Sequence, residues 1–205
     1  MRGAWPVVLL AALAAGGCGP DAPAPPPDGA PLDVAAVRDG LDRCLDGDAD
    51  AGVARLDSVL DRSPGAPDAL VARGLCRWAR WDDAGDVDDV RLAYADLSAA
   101  IEAVEGGTPA RGTPLDEIYS RRAFVAQALD GGWVRTIEDL DRAAALAPGE
   151  PRHVLDRGVV RSYAGDSVGA RRDLRQYLAL VDSFGTPDPS RQVVVERLLE
   201  DLGEE

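Results

Sequence analysis

Carboxylates crowd one short stretch, CLDGDADAGVARLD, running from Cys44 to Asp57. Asp46, Asp48 and Asp50 alternate, and Asp57 closes the stretch eleven residues after Asp46. A hard cation such as calcium needs several oxygens converging in this way. The stretch departs from a calcium loop where that chemistry is strictest. Ala51 stands where the sharp bend needs Gly, Asp57 is shorter than the bidentate Glu, and Arg55 falls inside the loop. An acidic turn between two helices is the better reading, since Asp caps a helix start and Gly reverses the chain. A second acidic stretch, DDAGDVDD (Asp82–Asp89), has no cage spacing and reads as a solvated loop, at most a weak holder of a divalent ion.

The other reactive side chains are few. His153 is the single His, at the start of a helical segment, and with no second imidazole to share a metal it is expected at the surface. Cys44 and Cys76 fall on the first helices of two consecutive units of one repeating pattern. Packed helix axes lie ~8–10 Å apart whereas a bridge needs Cα atoms within ~7 Å, so two buried free thiols are expected. Ser, Asp and Glu abound without a nucleophile elbow, a phosphate-binding Gly loop or a metal-ligand spacing. No enzyme, metal, cofactor or small-molecule substrate is expected.

Composition narrows the field further. A hydrophobic fraction of 46% is enough for a packed core in 205 residues. The net charge is -14, and all 22 basic residues are Arg, a bias that reads as genomic base composition. That average charge repels a polyanion, so nucleic-acid binding is not expected.

The first residues, MRGAWPVVLLAALAAGGCGP, carry Arg2, an apolar run from Val7 to Ala15, and small residues leading to Cys18. The run is too short to span a bilayer and suits a secretory signal. LAAGGC resembles a bacterial lipoprotein signal, which implies cleavage before Cys18 and lipidation (palmitate included) of that residue. Ala15 departs from the Leu that such signals prefer. DAPAPPPDGAP (Asp21–Pro31) then reads as a semi-rigid tether, because Pro fixes φ and removes donors. Gly19 lacks the Asp that retains such proteins in an inner membrane, so a lipid-anchored place in the bacterial cell envelope is expected, the outer membrane where the cell has two.

The body repeats itself. VRDGLDRCL and VARGLCRWA superimpose 34 residues apart, Gly40 on Gly74, and YSRRAFVAQAL and VLDRGVVRSYA superimpose 35 apart, Ala123 on Gly158. Each is followed by a second helical segment with a Leu in a matching place: Leu56, Leu97, Leu140 and Leu174. Small residues let the first helix approach the second, and one hairpin cannot bury such a face alone, so neighbours must stack. This unit resembles the tetratricopeptide repeat (TPR). The expected fold is all-α: a short right-handed TPR-type solenoid of about four helix-turn-helix repeats and a C-terminal capping helix. The expected division is 1–17 signal peptide, 18–32 lipidated Cys and linker, 33–188 repeats (about 33–66, 67–107, 116–150 and 151–184), and 189–205 cap and acidic tail. PSRQVVVERLLEDL supplies the amphipathic cap, with Pro189 in its first turn.

Charges alternate in register with the repeats. The slot before the small residue holds Asp39, Arg73, Arg122 and Arg157; the slot before the Leu holds Arg55, Asp96, Asp139 and Asp173. Opposite signs in all four, reversed once, predict the pairs Asp39–Arg55, Arg73–Asp96, Arg122–Asp139 and Arg157–Asp173. The competing reading is an arginine ladder for a carboxylate or phosphate ligand.

The resemblance also implies a function: a protein-protein interaction scaffold whose concave face, lined by the first helices, binds a partner's helix or extended segment. By register that face includes Val37, Leu41, Val71, Leu75, Trp78, Ser120, Phe124, Gln127, Leu155, Val159 and Tyr163, with Trp78 and Tyr163 the expected exposed rings. The carboxylate clamp known in the family needs Lys, which this chain lacks. The alternatives are an architectural protein self-associating through the ends of its array, and a calcium-responsive module.

Overall fold

The computed structural model describes residues 32–130, 132–184 and 188–203. The leader, Cys18 and the whole Asp21–Pro31 tether lie outside the described residues. Among those described there are nine helices and no strand. They are α1 (Val34–Leu45), α2 (Ala49–Leu60), α3 (Pro67–Ala84), α4 (Val87–Glu105), α5 (Leu115–Asp130), α6 (Trp133–Leu146), α7 (Pro151–Tyr163), α8 (Ser167–Phe184) and α9 (Pro189–Asp201). None of them is long and apolar enough to cross a membrane.

Local chemistry sets the boundaries. Asp33, Asp48 and Asp86 cap α1, α2 and α4 by accepting from backbone amides within the first turn. Pro67, Pro151 and Pro189 open α3, α7 and α9, where the missing N–H has no intrahelical partner to lose. Gly47 and Gly165 take φ of 91° and 82° in the turns of the first and fourth hairpins, a conformation that side chains disfavour.

The eight helices α1 to α8 form four hairpins, and each packs on the next into an all-α solenoid. The packing rule is the same in every hairpin. Leu56, Leu97, Leu140 and Leu174 are all 0% exposed, each contributing about 1.5–3 kcal/mol by leaving water. Opposite them stand Gly40, Gly74, Ala123 and Gly158. A Cβ on Gly40 would meet Leu56 Cγ at 2.7 Å, and one on Gly158 would meet Asp173 Cβ at 3.1 Å. The connection between the second and third hairpins is tied back to α3, because the Asp68 carboxylate accepts from the amides of Arg111 (2.9 Å) and Gly112 (2.8 Å).

Two expectations are corrected. Cys44 and Cys76 are not free thiols but a disulfide, joining α1 to α3 with Cα atoms 5.4 Å apart. Axis separation is the wrong measure here, because facing Cα atoms each stand about 2.3 Å off their axes and so fall inside bridging range. Gly52 of α2 leaves room for the bridge, since a Cβ there would lie 2.0 Å from Cys44 Sγ. His153 is not at the surface but 1% exposed. The first turn of α7 docks against α5, and Asp116 there meets His153 Nε2 at 2.8 Å.

Candidate partner-binding face and the ion-pair ladder

The four ion pairs expected from the alternation of signs are all brought together. Arg55 donates to Asp39 at 3.0 Å. Arg73 grips Asp96 with two nitrogens at 3.0 and 2.6 Å. Arg122 grips Asp139 at 2.9 and 2.7 Å, and Arg157 grips Asp173 at 2.8 Å twice. Forked pairs of this kind add geometric specificity to charge. Burial grades them. The carboxylates of Asp96, Asp139 and Asp173 are 5%, 8% and 0% exposed, whereas Asp39 is 42% exposed. With the guanidinium forks turned onto protein carboxylates, the ladder has little left to offer an external anion.

The sequence reading missed half of this ladder. Three of the arginines also reach back to the preceding hairpin, to the residue that follows its buried Leu. Arg73 donates to Asp57 at 2.7 Å, Arg122 to Ser98 at 3.2 Å, and Arg157 to Asp141 at 3.0 Å. Each arginine therefore joins its own repeat to its neighbour. The signal was present in the residues after Leu56, Leu97 and Leu140, but pairing within one repeat already accounted for the signs. In the second and fourth hairpins a second arginine, Arg77 or Arg161, adds to the same carboxylate at 2.6 Å. Arg122 instead lies over the rings of Tyr94 and Tyr119, at 5.6 and 5.4 Å. Burial and a 2.6 Å hydrogen bond to Glu105 push the Tyr119 hydroxyl up to about 12.

The acidic stretch engages carboxylates within the protein. Asp48 caps α2, Asp50 takes a hydrogen bond from Arg80 at 2.8 Å, and Asp57 goes to Arg73. Asp89, in the second acidic stretch, is held by the same Arg80. Among the described residues no group of three or more His, Cys, Asp or Glu side chains is placed to hold a metal.

A second polar cluster joins α5 to α7. Glu117 accepts from Arg152 at 2.5 Å and from Arg121 at 2.9 Å, beside the Asp116–His153 contact. Burial holds the Arg121 guanidinium below its ordinary value. Burial also pushes the Asp156 carboxyl up to about 6, although Arg152 and His153 pull it down. Asp116, Ser120 and His153 are the residue types of a nucleophilic triad. No hydrogen bond joins Ser120 to His153, and both side chains are sealed at 0% and 1% exposure, so a substrate has no approach to them.

The residues assigned by register to the concave face divide in two. Val37, Val71 and Ser120 are buried, at 9%, 2% and 0% exposed, so they are removed from the binding face. Val71 joins the apolar core that also holds both cysteines of the disulfide tying α3 to α1. Leu41, Leu75, Trp78, Phe124, Gln127 and Val159 stay half-buried, with Leu75 and Trp78 resting on the main core and Val159 on the apolar cluster beneath α9. Trp78 sits 4.7 Å from Trp81, centroid to centroid. Tyr163 is 58% exposed and stacks on Trp133 at 6.1 Å.

No family model matches the sequence, and no curated protein matches it. Solved structures do. The APC/C hetero-tetramer Cut9-Hcn1 matches with a TM-score of 0.64 at 15% identity, over 83% of this chain and 30% of that one. This chain therefore spans under a third of the Cut9-Hcn1 chain. MamA protein matches with a TM-score of 0.57 at 16% identity, over 82% of this chain and 90% of that one. MamA AMB-1 matches with a TM-score of 0.54 at 13% identity, over 84% and 93%. At such identities the likeness speaks to fold, and the fold is an all-α, TPR-type helical solenoid.

Proposed function

We propose that this protein is a scaffold held in the bacterial cell envelope, anchored by lipid on Cys18, that binds a helix or extended segment of a partner protein on its concave face. The observation that carries the reading is the half-buried row Leu41, Leu75, Phe124 and Val159, one residue from each first helix, flanked by Trp78 and Tyr163. Four repeats place an apolar group at the same slot without sealing it in the core. A stacked solenoid turns such a row into an extended groove, and aromatic anchors recur where partners bind. The Cys44–Cys76 disulfide supports the compartment independently of the leader, because such bridges persist in oxidising spaces and are rare in a reducing cytosol.

The test joins both halves of the reading. The full chain and a Cys18→Ser variant are expressed in a bacterial host, fractionated and weighed intact, with a photocrosslinker at position 78 and a control crosslinker at Ala95 on the outside of α4. Expected are cleavage before Cys18, acyl mass and membrane pelleting for the parent alone, and a discrete adduct from position 78 only. Uncleaved, soluble protein in both cases overturns the anchoring. Equal labelling from positions 78 and 95 overturns the concave site.

A further inference from the structure

The ladder is reversed at both ends, and the two reversals match. At each internal junction an arginine on the first helix of one repeat meets the residue after the buried Leu of the preceding repeat: Arg73 with Asp57, Arg122 with Ser98, Arg157 with Asp141. In the first repeat the arginine's slot holds Asp39, which keeps a 42% exposed carboxylate although Arg55 and Arg43 both donate to it. In the last repeat the slot after Leu174 holds Arg175, which is exposed and, among the described residues, in no ion pair. If the first repeat of one copy stacked on the fourth repeat of another, Asp39 would face Arg175. That is the internal contact with its signs exchanged. The same reversal would set Asp39 against Asp57 or Asp141 at two of the internal junctions and against the neutral Ser98 at the third, so an opposite charge meets it at this junction alone.

Helix α9 now occupies the place that junction needs. It runs antiparallel to α8, with the Leu202 carbonyl accepting from Arg171 at 2.9 Å near the start of α8. Pro189 opens it as Pro67 and Pro151 open α3 and α7, and Val195 stands six residues on, as Arg73 and Arg157 do. Val195 packs against the cluster containing Tyr177 and Val181 and is the fully buried residue of α9, while Val193 and Val194 are 64% and 57% exposed. The cap fills the fifth first-helix position by an apolar plug without the arginine bridge that ties the true repeats.

We infer that the outer face of the fourth repeat is a docking face for the first repeat of a second copy of this chain, with Arg175 meeting Asp39, and that α9 competes for it. The concave-face reading is not needed for this, and neither would fall with the other.

The experiment measures mass against concentration for the full chain by light scattering or sedimentation. Val195→Asp, which loosens the cap, is expected to convert a single-chain species into a concentration-dependent series in steps of one chain. Adding Arg175→Asp sets two carboxylates against each other and weakens association by about tenfold or more, less so at high salt. Adding Asp39→Arg with Arg55→Asp gives the first repeat the polarity of the other three and restores association. A Val195→Asp chain that stays single at every concentration overturns the inference. Association indifferent to Arg175→Asp also overturns it, because a merely exposed apolar face would behave so. Failure of the charge exchange to restore association overturns the Asp39–Arg175 assignment.

Discussion

Replacing Asp173 by Ala tests whether the ladder grades by burial as the geometry demands. Asp173 is 0% exposed and takes three hydrogen bonds, from Arg157 at 2.8 Å twice and from Arg161 at 2.6 Å. Its two donors are themselves 14% and 10% exposed. Removing one member of a buried pair costs about 3–5 kcal/mol, chiefly from the charges left behind. Asp141 stays within 3.0 Å of both guanidinium groups, which places the loss at the lower end, about 3 kcal/mol. The equivalent change in the first repeat, Asp39→Ala, removes a carboxylate that is 42% exposed and should cost no more than about 1 kcal/mol. Urea unfolding at neutral pH measures both. For a chain of this size the larger loss lowers Tm by about 6–12 °C and the smaller by at most about 4 °C. Equal losses for the two variants would refute the reasoning, since each removes the carboxylate of its own repeat's ion pair and burial is what separates them.

Three further outcomes follow from particular contacts. Cys44→Ser should destabilise the chain by about 4 kcal/mol, from the entropy of closing a loop of sequence separation 32, read as a fall in the urea midpoint that reduction of the parent reproduces. Gly52→Ala should cost more than about 2 kcal/mol or leave free thiols countable with a thiol reagent, because its Cβ would lie 2.0 Å from Cys44 Sγ and 2.7 Å from the Gly40 carbonyl. Asp156 has its native value raised to about 6, so between about pH 4 and 6 the native state holds a proton that the unfolded chain gives up, and this group's contribution falls as pH rises. Compared with Asp156→Asn, the parent should lose at most about 2 kcal/mol on going from pH 4.5 to 7.5, and parallel stability profiles would exclude the effect.

The repeats were legible because their physics is periodic. A small residue facing a Leu recurs at fixed spacing, and the one reversed charge pair revealed that the two slots meet. Three things resisted. The disulfide needed the distance between two facing Cα atoms, which axis-to-axis packing distances conceal. His153 looked solvent-facing because its first-turn position says nothing about which neighbour docks there, and Asp116 lies 37 residues away. The inter-repeat half of each arginine bridge was hidden by its own degeneracy: one guanidinium has donors enough for two carboxylates, and the first partner found satisfied the pattern. Val71 shows the same limit from the other side, since register assigns a slot to the concave face while the closeness of α1 and α3 decides whether that slot is open.

An array joined by shared arginines is only as cooperative as its weakest bridge, because each repeat is stabilised by its neighbours. Two junctions use a carboxylate, Asp57 at 2.7 Å and Asp141 at 3.0 Å; the middle one uses the neutral Ser98 at 3.2 Å. That junction also carries the connection between α4 and α5, which the other two lack at this length. It follows that the second and third repeats should part first, with amides of α4 and α5 exchanging hydrogen before those of α2 and α7. Ser98→Asp should give Arg122 a charged acceptor and recover about 0.5–1 kcal/mol, the value of a partly exposed pair. Ala95→Asp adds the same charge at an exposed position of α4 that makes no hydrogen bond with Arg122, and is the control. If Ser98→Asp raises the urea midpoint and slows exchange in α4 and α5 while Ala95→Asp does neither, the arginine bridge is what couples the repeats. If the two variants behave alike, the coupling resides in the apolar contacts around Leu97 and Ile118, and the charges merely decorate it.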